Sequence, residues 1–93
     1  MRLLWTREAV RAREAIYDHI EAGDPAAALA MDTLFSAAAA RLRKHPQLGR
    51  NGRLPGSREL VVHPHYVLVY DIRDDALRIL HLLHTSRQWP PER

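Results

Sequence analysis

Ninety-three residues, 46% hydrophobic and 27% charged with a formal net charge of +3, suit one domain spanning 1–93 with a single modest core. No apolar run approaches the ~20 residues that cross a bilayer, and Met1 to Trp5 turn polar at Thr6 without the apolar centre of a signal peptide. The chain contains no cysteine, which excludes disulfides and thiolate metal centres; a cytoplasmic protein without membrane contact is expected.

Leu3 to Trp5 is a short apolar run suited to a first strand, and Thr6 stands where an N-cap hydroxyl could accept from a free backbone N–H. From Arg7 to Ala22 the residues Ala9, Ala12, Ile16 and Ile20 recur at helical spacing. Gly23 is expected to end that helix in a left-handed conformation, with Asp24-Pro25 as N-cap and first position of the next. The second helix should run from Pro25 to Lys44 with Ala27, Met31, Leu34, Ala38 and Leu42 on its buried stripe and Phe35 widening it. Arg41, Arg43 and Lys44 in its last turn suit the negative end of the helix dipole, and Pro46 prevents continuation.

Residues 46 to 56 hold three glycines and two prolines, which predicts a turn-rich loop. Arg58 to Val62 and Tyr66 to Ile72 then read as a β-hairpin, because Val, Leu and Tyr suit a pleated surface and Pro64 falls between the runs. Tyr66, Leu68, Tyr70 and Ile72 share one face, with Val67, Val69 and Asp71 on the other. After a turn at Arg73-Asp74-Asp75, Ala76 to His84 forms a last strand, placing Leu80 and Leu82 on one face and Leu77, Ile79 and Leu83 on the other. Thr85 to Arg93 is a tail. The order predicts an α+β fold: a short N-terminal strand, a helical hairpin, then a three-stranded antiparallel sheet portion.

Between Arg41 and Arg58 lie six basic residues and no acidic one. That makes Arg41, Lys44, Arg50 and Arg53 candidates for contact with nucleic acid or another target. If they are ligands, replacing Arg50, Arg53 and Arg58 should weaken binding and leave stability nearly intact. His63-x-His65 has the spacing of a two-ligand metal site, but no third ligand is evident and no metal is expected. Gly49, Gly52 and Gly56 do not open a helix after a strand, so no nucleotide-cradling motif is present and no cofactor is expected.

Taken together, Trp5-Thr6, Asp24-Pro25, His45-Pro46 with Gly49-Arg50, Gly56 to Val62, Tyr66 to Tyr70, Ile79-Leu80, and His84 through Arg87 to Trp89-Pro90 resemble the RelE/ParE toxins of bacterial type II toxin–antitoxin modules. The resemblance covers nearly the whole chain and implies a growth-arresting toxin. It also implies a cognate antitoxin from the adjacent gene, carrying its own DNA-binding domain. Two activities occur in the family: ribosome-dependent cleavage of messenger RNA in the RelE branch, and poisoning of DNA gyrase in the ParE branch. RelE-like nucleases carry an arginine just after the first tyrosine of the third strand and another after the last strand. Here the second position is Arg87, whereas the first is Val67, and the C-terminal tyrosine of many RelE-like enzymes has no counterpart.

Cleavage of RNA by its own 2′-hydroxyl needs a base, cations for the charged transition state and an acid for the leaving oxygen. His65 and His84 are the candidate proton-transfer groups, and Arg58 and Arg87 the candidate phosphate holders. The mRNA endonuclease reading is slightly favoured on these residues, ahead of a non-enzymatic gyrase inhibitor and a non-catalytic binding module.

Overall fold

The computed structural model describes residues 1–91; Glu92 and Arg93 of the expected tail lie outside them. The elements run β1 (Arg2–Trp5), α1 (Arg7–Glu21), α2 (Pro25–Lys44), β2 (Arg50–Asn51), β3 (Arg58–His63), β4 (Tyr66–Arg73) and β5 (Ala76–His84). The five strands form one sheet in the order β1-β5-β4-β3-β2. All neighbours are antiparallel except β1, which pairs in parallel with β5. Fold class and hairpin agree with expectation, while β2 and the parallel edge extend the sheet beyond the three expected strands.

Both helices start as their sequences dictate. The Thr6 hydroxyl accepts from the Ala9 N–H at 3.2 Å, and the Asp24 carboxylate accepts from the Ala27 N–H at 3.1 Å ahead of Pro25. Gly23 differs from expectation. Among the described residues only Gly56 is a glycine with positive φ, and α1 instead closes with the Gly23 and Asp24 N–H groups both donating to the Ile20 carbonyl, at 3.0 and 2.8 Å. A tightened last turn therefore satisfies the carbonyl that a left-handed cap would have served.

The helices pack on one sheet face through Ala9 of α1, through Phe35, Ala38, Ala39 and Leu42 of α2, and through Tyr66, Leu68, Tyr70, Leu77, Ile79 and Leu82 of the sheet. The buried stripe of α2 is rotated from the expected one: Ala28 and Ala39 are buried, whereas Leu34 is 37% exposed. Arg13 joins the helices, its Nε and Nη2 donating to the Asp32 carboxylate at 2.6 and 3.1 Å, and its guanidinium lies 4.7 Å from the centre of the Trp5 ring. This bidentate, half-buried pair fixes α1 against α2 and β1.

A bulge corrects the face assignment in β5. Val69 pairs with His81 but Tyr70 pairs with Ile79, so Leu80 is an extra residue. Past it the alternation switches, and Leu82 and His84 join Leu77 and Ile79 on the helix face while Leu83 takes the other. Thr6 anchors the bulge: its N–H donates to the Ile79 carbonyl at 3.0 Å and its hydroxyl to the Leu80 carbonyl at 3.2 Å.

Candidate functional site

The same bulge places His84. Register pairs it with Tyr66 at the open end of the β4–β5 ladder, and both rings turn toward α1. Together they border a cleft of about 320 Å³ whose floor is Ala12, Ala15, Ile16 and Leu82 and whose remaining wall is His19, Tyr66, His84 and Arg87. Tyr66 packs edge-on against Phe35 at 5.7 Å and against His84 at 5.5 Å. His65 stacks on His84 at 5.5 Å with ring planes 15° apart, and His63 lies 5.4 Å from His65.

The turn after β5 holds this group in place. His84 Nδ1 accepts the Ser86 backbone N–H at 3.1 Å and lies 2.7 Å from the Ser86 hydroxyl, so the neutral imidazole carries its proton on Nε2. The Thr85 N–H donates to the His65 carbonyl at 2.8 Å and the Arg87 N–H to the His84 carbonyl at 2.9 Å, pinning the β3–β4 turn to the start of the tail. His65, His84 and Arg87 are therefore neighbours, as their candidate roles require. Beyond them, Trp89 folds back to the opposite sheet face and meets the His81 ring at 5.3 Å.

The other candidates lie elsewhere. Arg58 pairs with Tyr70, four residues along β4 from Tyr66 and thus roughly 13 Å away at 3.3 Å per residue. Its Nη1 donates to the Gly49 carbonyl at 2.7 Å. Tyr70 completes that corner: its hydroxyl accepts the Gly49 N–H and donates to the Pro46 carbonyl, both at 2.8 Å. Burial pushes the Tyr70 phenol above its ordinary value, and the Gly49 N–H and the Arg58 charge offset only part of that.

Arg50 and Arg53 hold a buried carboxylate. Glu59 is 2% exposed on the sheet face away from the helices, and it accepts the Arg53 N–H at 2.9 Å, Arg53 Nε and Nη2 at 3.1 Å each and Arg50 Nη2 at 3.4 Å. Burial alone would raise its pKa, but the hydrogen bonds and charge of Arg53, with Arg50, hold it below the ordinary carboxylate range. Arg41 borders a shallow depression with Leu34 and Val61 on the far side of α2, and Lys44 is exposed at the end of that helix. The position of the absent RelE-like arginine, Val67, is 3% exposed and pairs with Val61 and Leu83, so its side chain lies on the sheet face opposite to the cleft. No group of three or more metal-ligating side chains converges among the described residues.

Two cleft residues escaped the sequence reading. Tyr66 read as core, and it is 8% exposed, yet its ring borders the cleft. His19 carried a usable signal, since it follows Ile16 by three positions and so continues the inward stripe of α1 to the cleft mouth.

A helical hairpin on a sheet of this order, with a cationic, histidine-bearing cleft at one end, is the architecture of small α+β toxins. It superposes on a chain from the chromosomal ParDE toxin–antitoxin system of P. aeruginosa with a TM-score of 0.81, at 26% identity over 90% of this chain and 95% of that one. The YoeB/ParE toxin from Agrobacterium tumefaciens shares the fold, with a TM-score of 0.66 at 15% identity over 90% and 98% of the two chains. Residues 3–89 match the family described as the ParE toxin of the type II toxin–antitoxin system parDE. Sequence relatives include a putative toxin, Y4kP, of Sinorhizobium fredii, 37% identical over 96% of this chain and 93% of that protein. Toxin RelE2 of Caulobacter vibrioides is 35% identical over 91% and 96%. The chain belongs to the ParE toxin family: it is the toxin of a type II toxin–antitoxin system, a role that implies a cognate antitoxin as partner.

Proposed function

We propose that this toxin arrests growth by binding DNA gyrase and not by cutting RNA. The observation that carries this reading is that the candidate cations, Arg87 excepted, are engaged away from the cleft. Arg58 is bonded to the Gly49 carbonyl, Arg50 and Arg53 are bonded to Glu59, and only His65, His84 and Arg87 gather at the cleft. In-line cleavage needs base, acid and phosphate-holding cations within hydrogen-bond reach of one phosphate. The match to the ParE family and the likeness to a ParDE chain support the same reading.

The ribosome-dependent mRNA endonuclease is the second reading, favoured by the His84–Arg87–Tyr66 wall. There His84 Nε2 would exchange a proton and Arg87 would hold charge. Expression in cells without antitoxin separates the two: gyrase-dependent double-strand breaks with intact messages support the first, and codon-positioned message cuts with intact DNA support the second.

We also propose that the antitoxin is encoded in the adjacent gene, carries its own DNA-binding domain and folds on binding. Beyond the short β2 pairing, the outer edge of β3 has no strand partner among the described residues, and Leu34 and Val61 beside it are 37% and 52% exposed, which suits an added strand. Co-expression of the neighbouring reading frame should restore growth and co-purify; failure of both refutes this.

A further inference from the structure

We propose that Trp89, seated on His81 at the back of the sheet, is a latch: closed, it positions Arg87 at the mouth of the cleft, and it opens by local detachment of the tail while the sheet stays folded. The latch rests on neither target reading, because it needs neither gyrase nor ribosome. Its first ground is an unpaired donor. Among the described residues, the indole Nε1 of Trp89 is the one buried side-chain polar atom without a hydrogen-bond partner. Buried polar groups are ordinarily paired, and an exception costs free energy that other contacts must offset.

The seat itself offers that donor nothing. The Trp89 and His81 rings meet at 5.3 Å between centres with planes 72° apart. His81 Nδ1 accepts the Leu82 N–H at 3.0 Å, so the neutral ring carries its proton on Nε2 and presents a second donor. The carboxylates of that sheet face are engaged elsewhere, Asp71 with Arg78 and Glu59 with Arg53 and Arg50. The indole is therefore held by burial of its apolar rings against the cost of its sealed N–H, which leaves the closed state poised to open. Chain geometry ties this seat to the cleft. Arg87 borders the cleft and Trp89, two residues on, lies on the opposite sheet face, so the tail straddles the end of β5 with the two Cα atoms at most ~7.6 Å apart. Of residues 85 to 91 all but Trp89 are exposed, and Pro90 and Pro91 have no N–H to give the sheet. When the indole detaches, the Arg87 N–H bond to the His84 carbonyl at 2.9 Å loses its support from beyond.

The experiment is amide hydrogen exchange of the full chain by NMR, followed at the Arg87 N–H and, as reference, at Leu68 and Val69, which are fully buried in β4. Trp89→Ala should speed exchange at Arg87 at least about tenfold and leave the reference amides as they are, the signature of a local opening. The opposite variant keeps the ring and removes the donor: benzothienylalanine, with sulfur in place of the indole N–H, introduced at position 89 by chemical ligation. Because it relieves the unpaired donor, it should slow exchange at Arg87 at least about fivefold, which a residue serving only as packing would not do. Arg87 exchange unchanged in Trp89→Ala, or reference amides accelerating together with it, would overturn the latch. Exchange at Arg87 as fast in the benzothienylalanine chain as in the wild type, or faster, would overturn the claim that the sealed donor poises it.

Discussion

Arg53→Gln tests whether the basic loop is a ligand surface or a structural clamp. Arg53 gives Glu59 three hydrogen bonds, of which the backbone one at 2.9 Å survives the substitution and the two guanidinium bonds at 3.1 Å do not. The Glu59 side chain is 1% exposed, so it cannot recover those bonds from water in place, whereas the Arg53 side chain is 46% exposed and its own charge is screened. Hydrogen bonds to charged groups contribute ~1.5–3 kcal/mol each. With screening and the remaining Arg50 contact, the expected loss is about 2 kcal/mol. For a domain of this size that lowers Tm by roughly 8–16 °C.

The loss must also depend on pH. Because the folded-state pKa of Glu59 is depressed, the clamp's contribution is present above the ordinary carboxylate value and lost as pH falls through the folded one. The gap between wild type and variant, measured by circular dichroism melting, should therefore be full near neutrality and shrink in acid. A Tm unchanged at neutral pH, together with weaker target binding, would refute the clamp and restore the arginine as a ligand.

Three further substitutions probe the parts that position the cleft and loop. Gly49→Ala would place a Cβ 2.6 Å from the Tyr70 hydroxyl oxygen and should cost ~1–3 kcal/mol by overpacking, read by urea unfolding. Tyr70→Phe removes two hydrogen bonds, one buried and one half-buried, and should cost ~1–3 kcal/mol. Since burial raises the Tyr70 pKa, the stability of its neutral form is full below the ordinary phenol value and lost as pH rises through the folded one, so the variant should lose stability less steeply in alkali. Thr6→Val removes the α1 cap and the donor to the Leu80 carbonyl, and should cost about 1–2 kcal/mol. Because that carbonyl sits at the bulge that aims His84, amide exchange near His84 should rise as well.

Local chemistry made the elements legible. Thr6, Asp24-Pro25, Pro46 and the Val- and Leu-rich runs mark helix starts, a helix stop and strands through short-range rules, and each stands where those rules put it. What they do not encode is how elements meet. The α2 stripe is rotated because its alanines fit the sheet on either side of Phe35, and period alone does not choose among them. The Leu80 bulge reverses the faces of the last four residues of β5, and no residue in Arg78 to Leu83 signals it; the partner that stabilises it, Thr6, lies 74 positions away. The candidate site was half legible for the same reason. Arg87, His84 and His65 gather because they flank one strand end. Arg50 and Arg53 read as ligands because the one carboxylate they hold, Glu59, sits among apolar residues where a buried acid is unexpected.

The central claim is that the toxin acts on gyrase without nuclease chemistry. It is tested most directly by incubating the purified chain in parallel with gyrase and supercoiled plasmid, and with ribosomes halted on a defined message. The account predicts trapped, gyrase-dependent double-strand breaks in the first reaction and an intact message in the second. Cleavage at the ribosomal A site that disappears in His84→Ala and Arg87→Ala, with gyrase unaffected, would contradict it.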